Sequence, residues 1–176
     1  VLNPMRPGIK QAGSVMVLLG GESKHAGWDD AAVLQQLEIV AASVPDAARL
    51  VIADSRRTPD SLSKVLFERY GNRFQAWDAC PAGWLAEKLA VTESVWVTED
   101  SVSMVYEALT AGCRVGLLKL PAAEAESRVM RGVQRLVSDG AVTRFNDWYS
   151  GQHGLDSPPS FNEAERVAAL VLQRLH

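Results

Sequence analysis

Ser103, Glu107 and Thr110 recur at i, i+4 and i+7, a spacing that puts two hydroxyls and a carboxylate on one face of a helix. Ser101 and Ser103 fall in its first turn, where backbone N–H groups lack partners and the helix dipole is positive. Hydroxyls at such a point suit a phosphate. Glu107, one turn further on, suits the vicinal hydroxyls of a ribose. The same residues also fit an ordinary N-cap at Asp100 or Ser101 and a solvated helix face at Glu107. Two further loops carry anion-binding types. Gly20-Gly21-Glu22-Ser23-Lys24 is a glycine-bearing loop with a hydroxyl and a cation. Arg56-Arg57 stands directly before a helix N-terminus, where two cations meet an unfavourable dipole unless an anion is present. Trp28, in the first of these loops, suits either stacking on a base or sugar, or hydrophobic anchoring.

The elements that must position these residues are strands followed at once by helices. Glu93–Leu120 sets the pattern. Ser94–Thr98 is a short β-branched and aromatic run, read as a buried strand. Val102, Val105, Ala108 and Leu109 then recur at helical spacing, and Gly112 stops the helix. Arg114–Leu118 is the next strand. A strand–helix–strand unit with such short loops makes two parallel strands.

Upstream, Ser14–Leu19 and Arg49–Ala53 read as strands one and two. Asp29 caps a helix that buries Val33, Leu37, Val40 and Val44. Thr58-Pro59 opens another, with the hydroxyl at the N-cap and Leu62, Val65, Leu66 and Tyr70 inward. Arg73–Trp77 is a weaker third strand and Trp84–Thr92 a short helix. Downstream, Glu124–Ser138 is helical, burying Val129, Val133, Leu136 and Val137, and Ala141–Phe145 is a short sixth strand. Asn162 and Glu165 form a capping box for a last helix that buries Val167, Leu170 and Val171. The expected fold is α/β, a three-layer Rossmann-like domain with a parallel sheet of five or six strands. Residues 1–13 read as a linker or arm, and residues 14–176 as the domain. In the order 3-2-1-4-5 the chain reverses direction between strands one and four, and ligands of open α/β sheets bind outside the carboxyl ends there. The loops at Gly20–Trp28, Ser55–Thr58 and Glu99–Ser103 would share that mouth, which suits a diphosphate.

Several function classes are disfavoured. A net charge of -3 argues against a nucleic-acid surface, and no apolar run approaches the ~20 residues of a membrane span. Cys80 and Cys113 form no CxxC pair and read as free thiols of a reducing, cytoplasmic compartment. His25, His153 and His176 are too scattered for a zinc site, so neither metal nor cofactor is expected. GxGxxG and GxxxxGKS are both absent. A rival arrangement has Asp78, Thr98 and Lys119 at three strand ends, as in phosphorylatable receiver domains. The acidic pair such domains need after strand one is represented only by Glu22.

GGESKHAGWD, ADSRRTP and VTEDSVSMVYEALTAG, in that order, resemble the C-terminal half of bacterial relatives of the plant elongated-mitochondria fission protein. Those relatives are often labelled nucleoside-diphosphate-sugar epimerases and are similar to GT-B glycosyltransferases. The resemblance covers about Ser14 to Phe145. It implies a donor-binding domain without an obligatory metal, whose partner is a nucleoside-diphosphate sugar. On that resemblance Ser101 and Ser103 would meet the diphosphate and Glu107 the ribose. Gly20, Gly21, Ser23 and Lys24 would line the glycine loop, and Ser55, Arg56 and Thr58 would close on the phosphate or nucleotide side. It also implies an N-terminal domain, preceding Val1, that supplies the acceptor site and catalytic base. This chain would then be inactive alone, in the cytoplasm or peripheral at the inner membrane. The alternatives are sugar-nucleotide epimerisation on the same fold, or a non-catalytic interaction module.

Overall fold

Eight residues of β1 (Gln11–Leu18) form the middle of the sheet, paired on one side with β2 (Leu50–Ala53) and on the other with β4 (Thr92–Thr98). The computed structural model describes residues 5–23, 26–45, 49–121 and 128–156, with 128–130 by backbone alone. β3 (Phe74–Gln75) lies outside β2, and β5 (Arg114–Leu118) and β6 (Thr143–Arg144) lie beyond β4. The order is β3-β2-β1-β4-β5-β6 and every pairing is parallel. The turning point expected between strands one and four is therefore present. The receiver reading is corrected by the same observation, because flavodoxin-like receivers have the order 2-1-3-4-5.

Both faces of the sheet are covered, as parallel strands require. The period of two along β1 divides its side chains between two cores. Met16 and Leu18 point to the core under α3 (Trp84–Val91), α4 (Val102–Thr110) and α5 (Arg128–Ser138). Val17 and Leu19 point to the other, under α1 (Asp30–Ser43), α2 (Asp60–Tyr70) and α6 (Phe145–Tyr149). Asp29 caps α1 through Ala31 N and Ala32 N, and Gly112 follows α4 with a φ of 76°, the left-handed conformation that glycine tolerates. Trp96, in β4, lies against Gly116 of β5; a Cβ there would stand 2.4 Å from the indole.

Local expectations change at several points: the third strand shortens to Phe74–Gln75, and Phe145, read as the end of the sixth strand, opens α6. β1 starts at Gln11, so the sheet begins inside the stretch read as a linker, with a register shift between Gln11 and Val15. Residues 5–10 pack as well. Met5 is buried, Gly8 N donates to Ala90 O at 3.1 Å, and Lys10 Nζ donates to Leu89 O and Ala111 O. Thr58 does not cap α2, because its hydroxyl is engaged elsewhere and Pro59 occupies the cap position without a side-chain bond. The final helix with its Asn162–Glu165 box, the start of the Glu124–Ser138 helix and the side chain of Val129 lie outside the described residues.

Candidate functional site

Where β1 ends, the chain must turn between two neighbouring loops with no space for side chains. Gly20 N donates to Thr98 Oγ1 at 2.7 Å and Gly21 N to Asp100 Oδ2 at 3.2 Å. A Cβ on Gly20 would stand 2.2 Å from Ser101 Oγ and 2.3 Å from Asp100 Oδ2, and one on Gly21 1.8 Å from Arg57 O. The two glycines are thus required by close approach of backbone and side chain.

The exit loop of β2 closes on the same point. Thr58 N donates to Ser55 O at 2.9 Å, making a turn, and Ser55 N donates back to Thr58 Oγ1 at 2.9 Å. Ser55 Oγ donates to Gly20 O at 3.0 Å, and the Thr58 hydroxyl is bonded to Gly20 O with Leu19 O 3.2 Å away. Arg57 joins all three loops. Nη1 donates to Gly21 O at 3.2 Å, and Nη2 to Ser101 Oγ and Asp100 Oδ2, each at 2.9 Å. Asp100 is fully buried at its side chain while Arg57 stays 40% exposed. Asp100 Oδ2 collects Gly21 N, Arg57 and the Ser101 hydroxyl, and Oδ1 has no partner among the described residues. Burying that carboxylate is tolerable because a guanidinium and two further donors meet it.

Five of the expected residues are therefore brought together: Gly20, Gly21, Ser55, Thr58 and Ser101. Arg56, Ser103 and Glu107 stand outside this network. Ser23 Oγ accepts from Ala26 N at 3.2 Å within its own loop. Arg56 is exposed and forms no hydrogen bond or ion pair among the described residues. Its backbone neighbour on the α3 side is a hollow of about 390 Å³ that Arg56 helps to line. Ser103 is exposed in the first turn of α4, and Glu107 is half-buried one turn on; burial pushes the Glu107 carboxyl above its usual range. Ser101 is the N-cap of α4 but makes no side-chain cap bond, since its hydroxyl is turned to Arg57 and Asp100. Lys24 and His25 lie outside the described residues.

The network also contains Arg57, Asp100 and Thr98, which the sequence reading places respectively in the arginine pair, at an N-cap and in the receiver arrangement. The arginine pair carried the signal, because cations before a helix meet an unfavourable dipole that an anion relieves. For Arg57 that anion is Asp100, and its position became known only once β1, β2 and β4 were neighbours. Trp28 is anchored rather than free, with Nε1 donating to Asp30 Oδ1 at 2.7 Å and its ring against the α1 core. Among the described residues no cluster of His, Cys, Asp and Glu could hold a metal ion. A larger cavity, about 470 Å³, lies between α1 and α6, and none of the candidate residues lines it. No described helix is long and apolar enough to cross a membrane.

The family model for mitochondrial fission ELM1 matches residues 7–175. No curated protein and no solved structure matches the chain.

Proposed function

The chain belongs to the mitochondrial fission ELM1 family, and from that premise we propose that it is the nucleotide-sugar-binding domain of a GT-B-type glycosyltransferase-like protein. The observation that carries this reading is the state of the α4 tip. It stands at the turning point of the sheet, its N-cap hydroxyl is directed away from it, and three loops hold it in place. A diphosphate at that tip would meet uncapped backbone N–H groups and the positive end of the dipole. The exposed Ser103 hydroxyl and the Arg56 guanidinium, which has no partner among the described residues, are the side chains available to it. Arg57 balances the buried Asp100, which would otherwise repel the ligand. Glu107 is the ribose partner.

In glycosyl transfer the diphosphate leaves with the electron pair of the glycosidic bond, and donors fixed in advance at its oxygens stabilise that charge. The proposed partners are a nucleoside-diphosphate sugar and an N-terminal domain that carries the acceptor site. Titration calorimetry with UDP-, GDP- and ADP-sugars tests the reading. At least one should bind at micromolar to sub-millimolar concentration. No heat from any of them at millimolar concentration would leave the interaction module as the better account.

A further inference from the structure

We infer that the hollow beside Arg56 is a stacking slot for the planar base of the nucleotide, an inference that rests on the nucleotide-sugar reading above. Its floor is Leu18 and Ala53, at the carboxyl ends of β1 and β2, and its walls are Trp77, Trp84 and Met104. Its volume of about 390 Å³ lies within the ~300–1,000 Å³ of small-molecule sites.

Four features point to a flat aromatic ligand with a charged end. First, Trp77 lines the hollow and is 47% exposed, so part of its indole is open to a ligand there. Second, the indole N–H groups of Trp77 and Trp84 form no hydrogen bond among the described residues, so both remain available as donors. Third, the slot is fixed in advance. Asp54, itself buried, accepts from Trp77 N at 2.7 Å and from Ser63 Oγ at 2.6 Å, which pins the loop after β3 to β2 and α2. Fourth, the polar end of the slot is Ser55 and Arg56, the same loop that borders the proposed diphosphate position. Met104 faces the slot, and Glu107 is its i+3 neighbour on α4. Base and ribose positions would therefore adjoin each other on α4.

The test compares UDP, GDP and ADP with inorganic pyrophosphate on the wild-type chain and on Trp77→Ala and Trp77→Phe. Binding is read by calorimetry and by tryptophan fluorescence. The slot predicts that at least one nucleoside diphosphate binds tenfold or more tightly than pyrophosphate and quenches the fluorescence. Trp77→Ala should lose about tenfold or more for that nucleotide and nothing for pyrophosphate, while Trp77→Phe keeps most of the affinity. Equal affinity for nucleotide and pyrophosphate, or a Trp77→Ala variant as tight as wild type, overturns the slot and leaves the diphosphate site standing. Failure of pyrophosphate and nucleotides alike removes both.

Discussion

Arg56 and Arg57 are neighbours with different work to do. Arg57 spends its guanidinium on Gly21 O, Ser101 and Asp100. Removing it leaves a buried carboxylate unpaired, so Arg57→Ala should destabilise the fold. We expect a loss of about 1–3 kcal/mol, discounted from the figure for fully buried pairs because Arg57 is partly exposed. Asp100→Asn in the same chain should restore part of it, as read by urea unfolding. Arg56 has no such duty. Arg56→Ala should leave the unfolding midpoint unchanged, yet make diphosphate binding weaker and less salt-sensitive. Unchanged affinity and salt slope would take Arg56 out of the site.

Glu107 gives the sharper contrast between stability and function. Burial raises its carboxyl pKa from an ordinary value of 4.5, with no described partner to oppose the shift. Burial likewise raises Glu99, only partly offset by its bond from Leu120 N. An acid whose pKa is higher in the folded state holds its proton there when the unfolded chain has released it. Stability therefore falls as pH rises above about 4.5 through the folded pKa values. Glu107→Gln removes that penalty, so its Tm near neutrality should equal that of wild type or exceed it by up to about 3 °C. The gain in Tm on going from pH 7 to pH 5 should be smaller than in wild type. The same change should weaken nucleoside diphosphates and spare pyrophosphate; a lower Tm would contradict the burial penalty, and equal losses for both ligands would contradict the ribose role.

At the scale of elements, close approach rather than propensity fixes the chain. Gly21→Ala would drive a Cβ into the Arg57 carbonyl, and Gly20→Ala would drive one into Asp100 and Ser101. Backbone cannot give way as a flexible side chain can, so Gly21→Ala should cost about 2–3 kcal/mol or more. Gly20→Ala should cost less if the Asp100 carboxylate can rotate. Lys10 has a comparable structural part at the other end of the sheet. Its ammonium reaches Leu89 O at 2.8 Å, near the end of α3, and Ala111 O at 2.7 Å, just past α4. Lys10→Met should lose both contacts, each worth about 1 kcal/mol. It should also raise the Cys113 thiol pKa further, since Lys10 opposes the desolvation that already raises it. A thiol-modification rate that rises in Lys10→Met under conditions where the fold is intact would contradict that sign.

For the molecule as a whole, the alternation of strands and helices was legible because each element carries its own signal. The apolar runs of Ser14–Leu19 and Ser94–Thr98, the cap at Asp29 and the stop at Gly112 are local, and all four are present in the fold. Right-handed crossovers then leave few orders for a parallel sheet, which is why the turning point between β1 and β4 could be anticipated. Elements with weak local signals were read less well. Gln11–Gly13 is exposed and carries no strand signal, and it joins the sheet because Gln11 pairs with Thr92, a distant contact no local pattern announces.

The amino-acid order by itself determined which loops carry hydroxyls, glycines and cations, since those are properties of composition over a few neighbouring positions. It determined the layered fold for the same reason. Only the tertiary structure decided how the charges pair. Arg57 and Asp100 are far apart along the chain, and nothing local distinguishes Arg57 from Arg56. The sheet brings the β2 and β4 loops against Gly20 and Gly21, so one guanidinium is neutralised from within while its neighbour is left facing outward. Coulomb attraction depends on distance in space and on burial, and neither is written in sequence separation.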